Sequence, residues 1–291
     1  MSGPPSTSSP TENAVRRGYA DGLHGQVHYR LGQPGKSDRP TLVLLHQNPS
    51  SSLEYAHLIA DMGRDRRVIA LDTPGYGMSD RPSAPLGMAG YAASLAAALE
   101  TLVDEGDGPV DLYGFHTGTL LAIELALAHP QRVRRLILSG IPMHTAEERA
   151  KRLSDAVGMA KVDESGDVML DLARRLWDYV VGQRDPGMTL DDAAEMWIEK
   201  LKPLDRTAWA YEGVWSYNYE GRLPLLTHPV LVLQPDESIA AQSLAAAAII
   251  PHAQVERLAG IDRDIFHAPH ALAPLTAAMR RYLDTDLPSG V

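Results

Sequence analysis

The chain contains no cysteine. That excludes disulfides, a thiol nucleophile and thiolate metal sites. It has no apolar run near the ~20 residues that a membrane-spanning helix requires. Positive charge is scarce: 27 Lys and Arg stand against 37 Asp and Glu, a formal charge of −10. This balance argues against nucleic acid and anionic membrane surfaces as partners. Phe occurs only twice, so bulky rings must come from Trp and Tyr. The opening segment MSGPPSTSSPTENAV has no basic start followed by an apolar stretch, and no secretory signal is expected. These absences predict a cytoplasmic protein with a disordered tail over residues 1–14, rich in Ser, Pro and Thr.

What is present suits a globular enzyme. Of 291 residues, 44% are hydrophobic and 22% charged, enough for a substantial core. Short apolar runs read as strands at 26–31 (QVHYRL), 41–45 (TLVLL), 68–71 (VIAL), 110–113 (VDLY), 133–139 (VRRLILS) and 230–233 (VLVL). Helical patterns fall between them, at 91–103 and 117–128. This alternation predicts βαβ units, an α/β fold with a mostly parallel central sheet flanked by helices. Residues 144–225 break the rhythm with helical patterns and most of the large rings. They read as a helical cap inserted into a core formed by 15–143 and 226–291. The rings are either the core of the cap or, for Trp177, Trp209, Tyr211 and Trp215, the lining of an apolar substrate pocket.

The segment VDLYGFHTGTLLAIELALAHP joins a strand to a helix through a turn flanked by Gly114 and Gly118. The turn raises His116 at the C-terminal edge of the sheet, where such sheets bind ligands. A tip residue of this kind usually needs φ above zero, and His is among the few non-glycine residues enriched there. The adjoining helix N-terminus favours an uncharged ring, and an uncharged imidazole can attack a carbonyl or accept a proton.

Four segments then resemble the α/β-hydrolase family, in the family's order. LLHQNPSSSLEY resembles its H-G-x-P loop. LDTPGYGMSDRP resembles D-x-P-G-x-G-x-S. GFHTG resembles the G-x-S-x-G nucleophile elbow, with His116 in place of serine. FHAPHALAP resembles the segment carrying the catalytic histidine, which implies His267 rather than His270 as the base. The resemblance implies an oxyanion hole from the Thr117 backbone and from Gln47 or Asn48. His46 then supports the loop. HQNP is closest to the HGNP loop of haloalkane dehalogenases, but those need an Asp nucleophile that this chain lacks. The family's usual acid position falls on Ser238. Glu237 and Asp236 are the nearest acids, with Glu237 favoured for its longer arm and Asp262 and Asp264 as alternatives. The family uses no metal and no cofactor, so none is expected.

The resemblance implies a hydrolase or acyl-transfer enzyme acting on an ester, thioester, lactone or carbonyl-activated C–C bond of an apolar or aromatic small molecule. A non-hydrolytic lyase, isomerase, cyclase or cofactor-free oxygenase on the same scaffold is the alternative, and a weakly catalytic binder is a third. Cap surfaces in the family often pair, which leaves a homodimer open.

Overall fold

A computed structural model describes residues 15–34, 36–157 and 162–285. The tail expected over residues 1–14 lies outside them. The elements, in chain order, are β1 (Arg16–Gly22), β2 (Gly25–Gly32), β3 (Leu42–Leu45), α1 (Ala56–Met62), β4 (Val68–Leu71), α2 (Gly87–Leu102), β5 (Val110–Phe115), α3 (Thr117–Ala128) and β6 (Val133–Ser139). There follow α4 (Ala146–Val157), α5 (Asp167–Trp177), α6 (Leu190–Leu201), α7 (Thr207–Trp215) and α8 (Tyr219–Arg222). The chain closes with β7 (Val230–Pro235), α9 (Ala240–Ala247), β8 (Gln254–Leu258) and α10 (Pro269–Asp284).

One eight-stranded sheet runs in the order β1-β2-β4-β3-β5-β6-β7-β8. The β1–β2 and β2–β4 pairs are antiparallel and the other pairs parallel. The interior strands LVLL, VIAL, VDLYGF and VLVLQP are buried at every residue. Runs of this sort, apolar apart from Asp111 and Gln234, are what a sheet covered on both faces requires. One face packs on α2 and α3 through Leu95, Leu120, Leu121 and Ile123. The other packs on α1 and α10 through Leu58, Ile59, Leu275 and Met279.

The two edge strands have no strong counterpart in the sequence pattern. RRGYADG (β1) and QVERL (β8) are largely exposed, so neither needs an apolar run. The second helix begins at Gly87, a turn earlier than the apolar pattern indicates.

The segment between β6 and β7 is helical and docks by specific contacts. Arg222 forks both Glu124 oxygens on α3, at 2.8 and 2.7 Å, and Tyr217 donates to Glu124 at 2.6 Å. Tyr76 donates to the Arg206 carbonyl at 3.0 Å and accepts from Ala210 N–H at 2.9 Å. These bonds hold α7 against the loop after β4. Among the described residues no helix is long and apolar enough to cross a membrane.

Candidate active site

The site is built at the end of β5. His116 has φ 48° and ψ −113°, a conformation few side-chain-bearing residues adopt. Its backbone is over-determined: His116 N–H donates to Ser139 O at 2.9 Å, and its carbonyl accepts Thr119 N–H at 2.9 Å and the Thr119 hydroxyl at 2.6 Å. The flanking glycines make the turn sterically feasible. A Cβ on Gly118 would overlap the Leu45 carbonyl, and one on Gly114 would meet Gly118 backbone. The elbow helix therefore lies directly on β3.

His116 Nε2 meets Glu237 Oε2 at 2.5 Å. The ring also stacks on Phe115, centroids 4.0 Å apart. Glu237 follows β7, and Gln234 Nε2 donates to its other oxygen at 3.3 Å. With Nε2–H donating to the carboxylate, the Nδ1 lone pair is left without a protein partner among the described residues. Gly140, φ 70°, lies against this pair: a Cβ there would fall 2.6 Å from Glu237 Oε1 and 2.8 Å from His116 Nε2.

The carboxylate candidates thus separate. Glu237 reaches His116, not His267. Asp236 also lines the smaller cavity, but its carboxylate accepts Gly260 N–H at 2.8 Å and meets neither histidine among the described residues. Asp264 accepts Asp185 N–H at 2.7 Å, and Asp262 lines the cavity. Ser238, where the family acid aligns, also lines it.

His267 has no carboxylate beside its ring among the described residues. It meets the edge of His57, centroids 5.6 Å apart. Its rival His270 is exposed, 3.4 Å from Asp185. Burial first, then the neighbouring His57, push His267 down to about 4; Asp192 opposes them and Lys200 adds the smallest push. The ring is therefore neutral in the folded chain at pH 7.

This makes a stability prediction. The unfolded chain binds a proton at this site below its ordinary 6.5, while the folded chain resists until about 4. The stabilisation is present in full above pH 6.5 and is lost as pH falls from there through 4. The loss amounts to about 3 kcal/mol by pH 4. Urea midpoints at pH 7 and pH 4 are expected to differ more in wild type than in His267→Gln. Equal differences would refute the assignment.

The loop 46–49 is held from two sides. His46 Nδ1–H donates to Gln47 O at 2.6 Å and its Nε2 accepts Thr73 N–H at 2.9 Å, which fixes the tautomer. Glu54, on the turn before α1, accepts Gln47 N–H at 3.0 Å and Gln47 Nε2 at 2.9 Å. The Gln47 N–H is thus spent and cannot serve an oxyanion. The first N–H groups of a helix have no intrahelical acceptor, so Thr117 N–H keeps its donor free. Asn48 is 5% exposed; its Oδ1 and Nδ2 are closed off from the surface and have no partner among the described residues.

Two cavities meet at His116. The smaller, about 360 Å³, runs past Glu237 to His267. The larger, about 570 Å³, is walled by Asn48, Thr117, Leu176, Tyr211 and Trp215. Gln47, His116, Tyr179, Lys200 and Ser238 border both. Trp177 and Trp209 line neither. Trp177 packs edge-on against Trp197 at 5.1 Å and is 41% exposed, because the amphipathic helix α5 turns it outward.

Sequence reasoning missed Glu54, Gly140 and Lys200. Lys200 is one charged residue among several on an amphipathic helix, and nothing local marks it. Gly140 had a faint signal, a glycine directly after a buried strand.

A family model for the alpha/beta hydrolase fold matches residues 40–267. The chain belongs to that family. It is 37% identical over 122 residues to a 2-hydroxy-6-oxo-2,4-heptadienoate hydrolase of Pseudomonas putida, covering 40% of this chain and 42% of that one. The match thus spans less than half the relative's length. Identity is 26% over 231 residues to a pimeloyl-[acyl-carrier protein] methyl ester esterase of Nitrosospira multiformis, covering 77% and 85%. An esterase from a Rhodococcus species superposes with a TM-score of 0.71 at 23% identity, covering 93% of this chain and 98% of that one. At that identity the likeness shows the fold alone.

Proposed function

We propose that this chain is a hydrolase or acyl-transfer enzyme in which a histidine–carboxylate pair takes the place of the serine nucleophile. The 2.5 Å contact between His116 and Glu237 carries the reading. A carboxylate that holds one ring nitrogen fixes the tautomer and leaves the other nitrogen basic.

The chemistry runs as follows. Nδ1 of His116 takes a proton from water, and the water oxygen adds to the substrate carbonyl carbon. The carbonyl electrons move to oxygen, where the backbone N–H groups of Thr117 and Asn48 are the candidate donors. The bond to the leaving group breaks, and the imidazolium returns its proton to the departing atom. Alternatively Nδ1 adds to the carbonyl carbon, the leaving group departs and takes up a proton from solvent, and the Nε2 proton passes to Glu237; water then hydrolyses the acyl-imidazole to the acid and the free ring. The rings of Tyr211 and Trp215 in the larger cavity favour an apolar or aromatic substrate. The hydrolase and esterase names of the relatives support the reaction class.

A second reading, a lyase, isomerase, cyclase or cofactor-free oxygenase that moves protons, draws on a different observation. His267 is a neutral base without a carboxylate and borders the same smaller cavity.

Intact-protein mass after mixing with a nitrophenyl ester, measured with nitrophenol release, separates these. Turnover with a transient acyl adduct makes His116 a nucleophile. Turnover with no adduct at millisecond quench times supports activated water. A folded protein that releases no nitrophenol above background refutes the hydrolase reading and leaves the second.

A further inference from the structure

Lys200 projects from α6 to the junction of the two cavities. Its Nζ donates one hydrogen bond, to the Pro49 carbonyl at 3.1 Å. An ammonium has three protons to donate. Among the described residues, no carboxylate lies within 4.0 Å of this nitrogen. Glu54 and Asp264 act on it only at longer range, and both already accept backbone N–H groups. Burial draws the Lys200 ammonium below its ordinary range, and those two carboxylates only partly oppose it. A positive charge so placed lacks the partner that a buried charge normally has.

Asn48, on the loop that Lys200 grips through the Pro49 carbonyl, has its side-chain amide closed off from the cavity and offers no donor there. Lys200 borders both cavities, and the ammonium protons not given to Pro49 are donors that a bound molecule completes.

We propose that Lys200 is a specificity residue that binds a carboxylate carried by the substrate close to its reacting carbonyl. This rests on the function proposed above and narrows it, from apolar acyl compounds to those bearing one negative charge. One point charge suits a monoanion. A phosphate dianion is usually met by a guanidinium fork or several cations. Arg152, at the rim of the larger cavity, lies over the Trp215 ring at 5.2 Å. The rest of the substrate then lies along Tyr211 and Trp215.

The test is binding, which needs no turnover. Phenylacetate and phenylacetamide have the same ring and nearly the same shape, and they differ in charge. By calorimetry the wild-type protein is expected to bind phenylacetate at least about ten-fold more tightly than the amide. Lys200→Met is expected to level the two, and Lys200→Arg to keep the preference. Equal binding of both probes by wild type, or failure to bind either at millimolar concentration, overturns the proposal. So does a Lys200→Met variant that keeps the preference. The wild-type comparison stands even where a variant does not fold.

Turnover of nitrophenyl butyrate and mono-nitrophenyl succinate keeps this outcome apart from the reaction class. A phenylacetate preference with neither ester cleaved retains the anion subsite and removes the hydrolase reading. Equal kcat/KM on both esters with no binding preference does the reverse.

Discussion

Replacing His116 by alanine is expected to lower kcat/KM on nitrophenyl esters by about 10⁴-fold, to near the background of the protein scaffold. Glu237→Gln is expected to cost about 10² to 10⁴, because glutamine keeps the shape but can hold the ring in the wrong tautomer. The two act as a unit through one 2.5 Å contact, so the double variant should be no worse than His116→Ala alone. Asp236→Asn is the control. Its carboxylate is committed to Gly260 N–H, and its kinetics should stay within about three-fold of wild type. His267→Gln makes the sharper comparison. If His267 were the base of an ordinary triad, its loss would equal that of His116. With no carboxylate beside it, it is expected to cost below the ~10² that marks full general-base catalysis. Steady-state kinetics on folded proteins, checked by circular dichroism, decide between these. Equal losses at His116 and His267 would show that both rings belong to one relay.

The legible parts of this molecule are those in which local chemistry dictates the residue. Buried parallel strands are predominantly apolar, so LVLL, VIAL and VLVL (230–233) announced themselves. The elbow was legible because positive φ and close backbone approach restrict what can stand at positions 114, 116 and 118. The edge strands β1 and β8 were not, since a strand with an exposed face has no fixed pattern. The same limit applied to the site. Motif position pointed to His267 as the partner of the acid. Which ring Glu237 reaches depends on its side-chain length and on space opened by a residue about a hundred positions earlier in the chain. Gln47 aligned with an oxyanion donor, yet Glu54, seven residues on, takes its N–H. Lys200 matters through what it fails to pair with, and no sequence pattern records a missing partner.

Gly140→Ala is expected to remove most activity while leaving the fold intact. The glycine sits at the end of β6 with φ 70°, where a side-chain-bearing residue costs about 1 to 2 kcal/mol. That strain alone would shift Tm by only a few degrees in a chain of this size. The larger effect is steric. The new methyl would occupy the space between the His116 ring and Glu237, 2.6 Å from Oε1 and 2.8 Å from Nε2. Neither group can yield freely. Phe115 stacks on the ring, and Gln234 donates to the carboxylate. The contact must therefore lengthen, and a misplacement near 1 Å in a catalytic pair is worth about 10²-fold. A fall of that order in kcat, with Tm lowered only slightly, is the expected result from kinetics and calorimetry together. Full activity in Gly140→Ala would mean that the pair does not need its observed geometry, and the functional reading would lose its main support. Loss of activity with loss of folding would instead place the glycine's importance in the backbone turn.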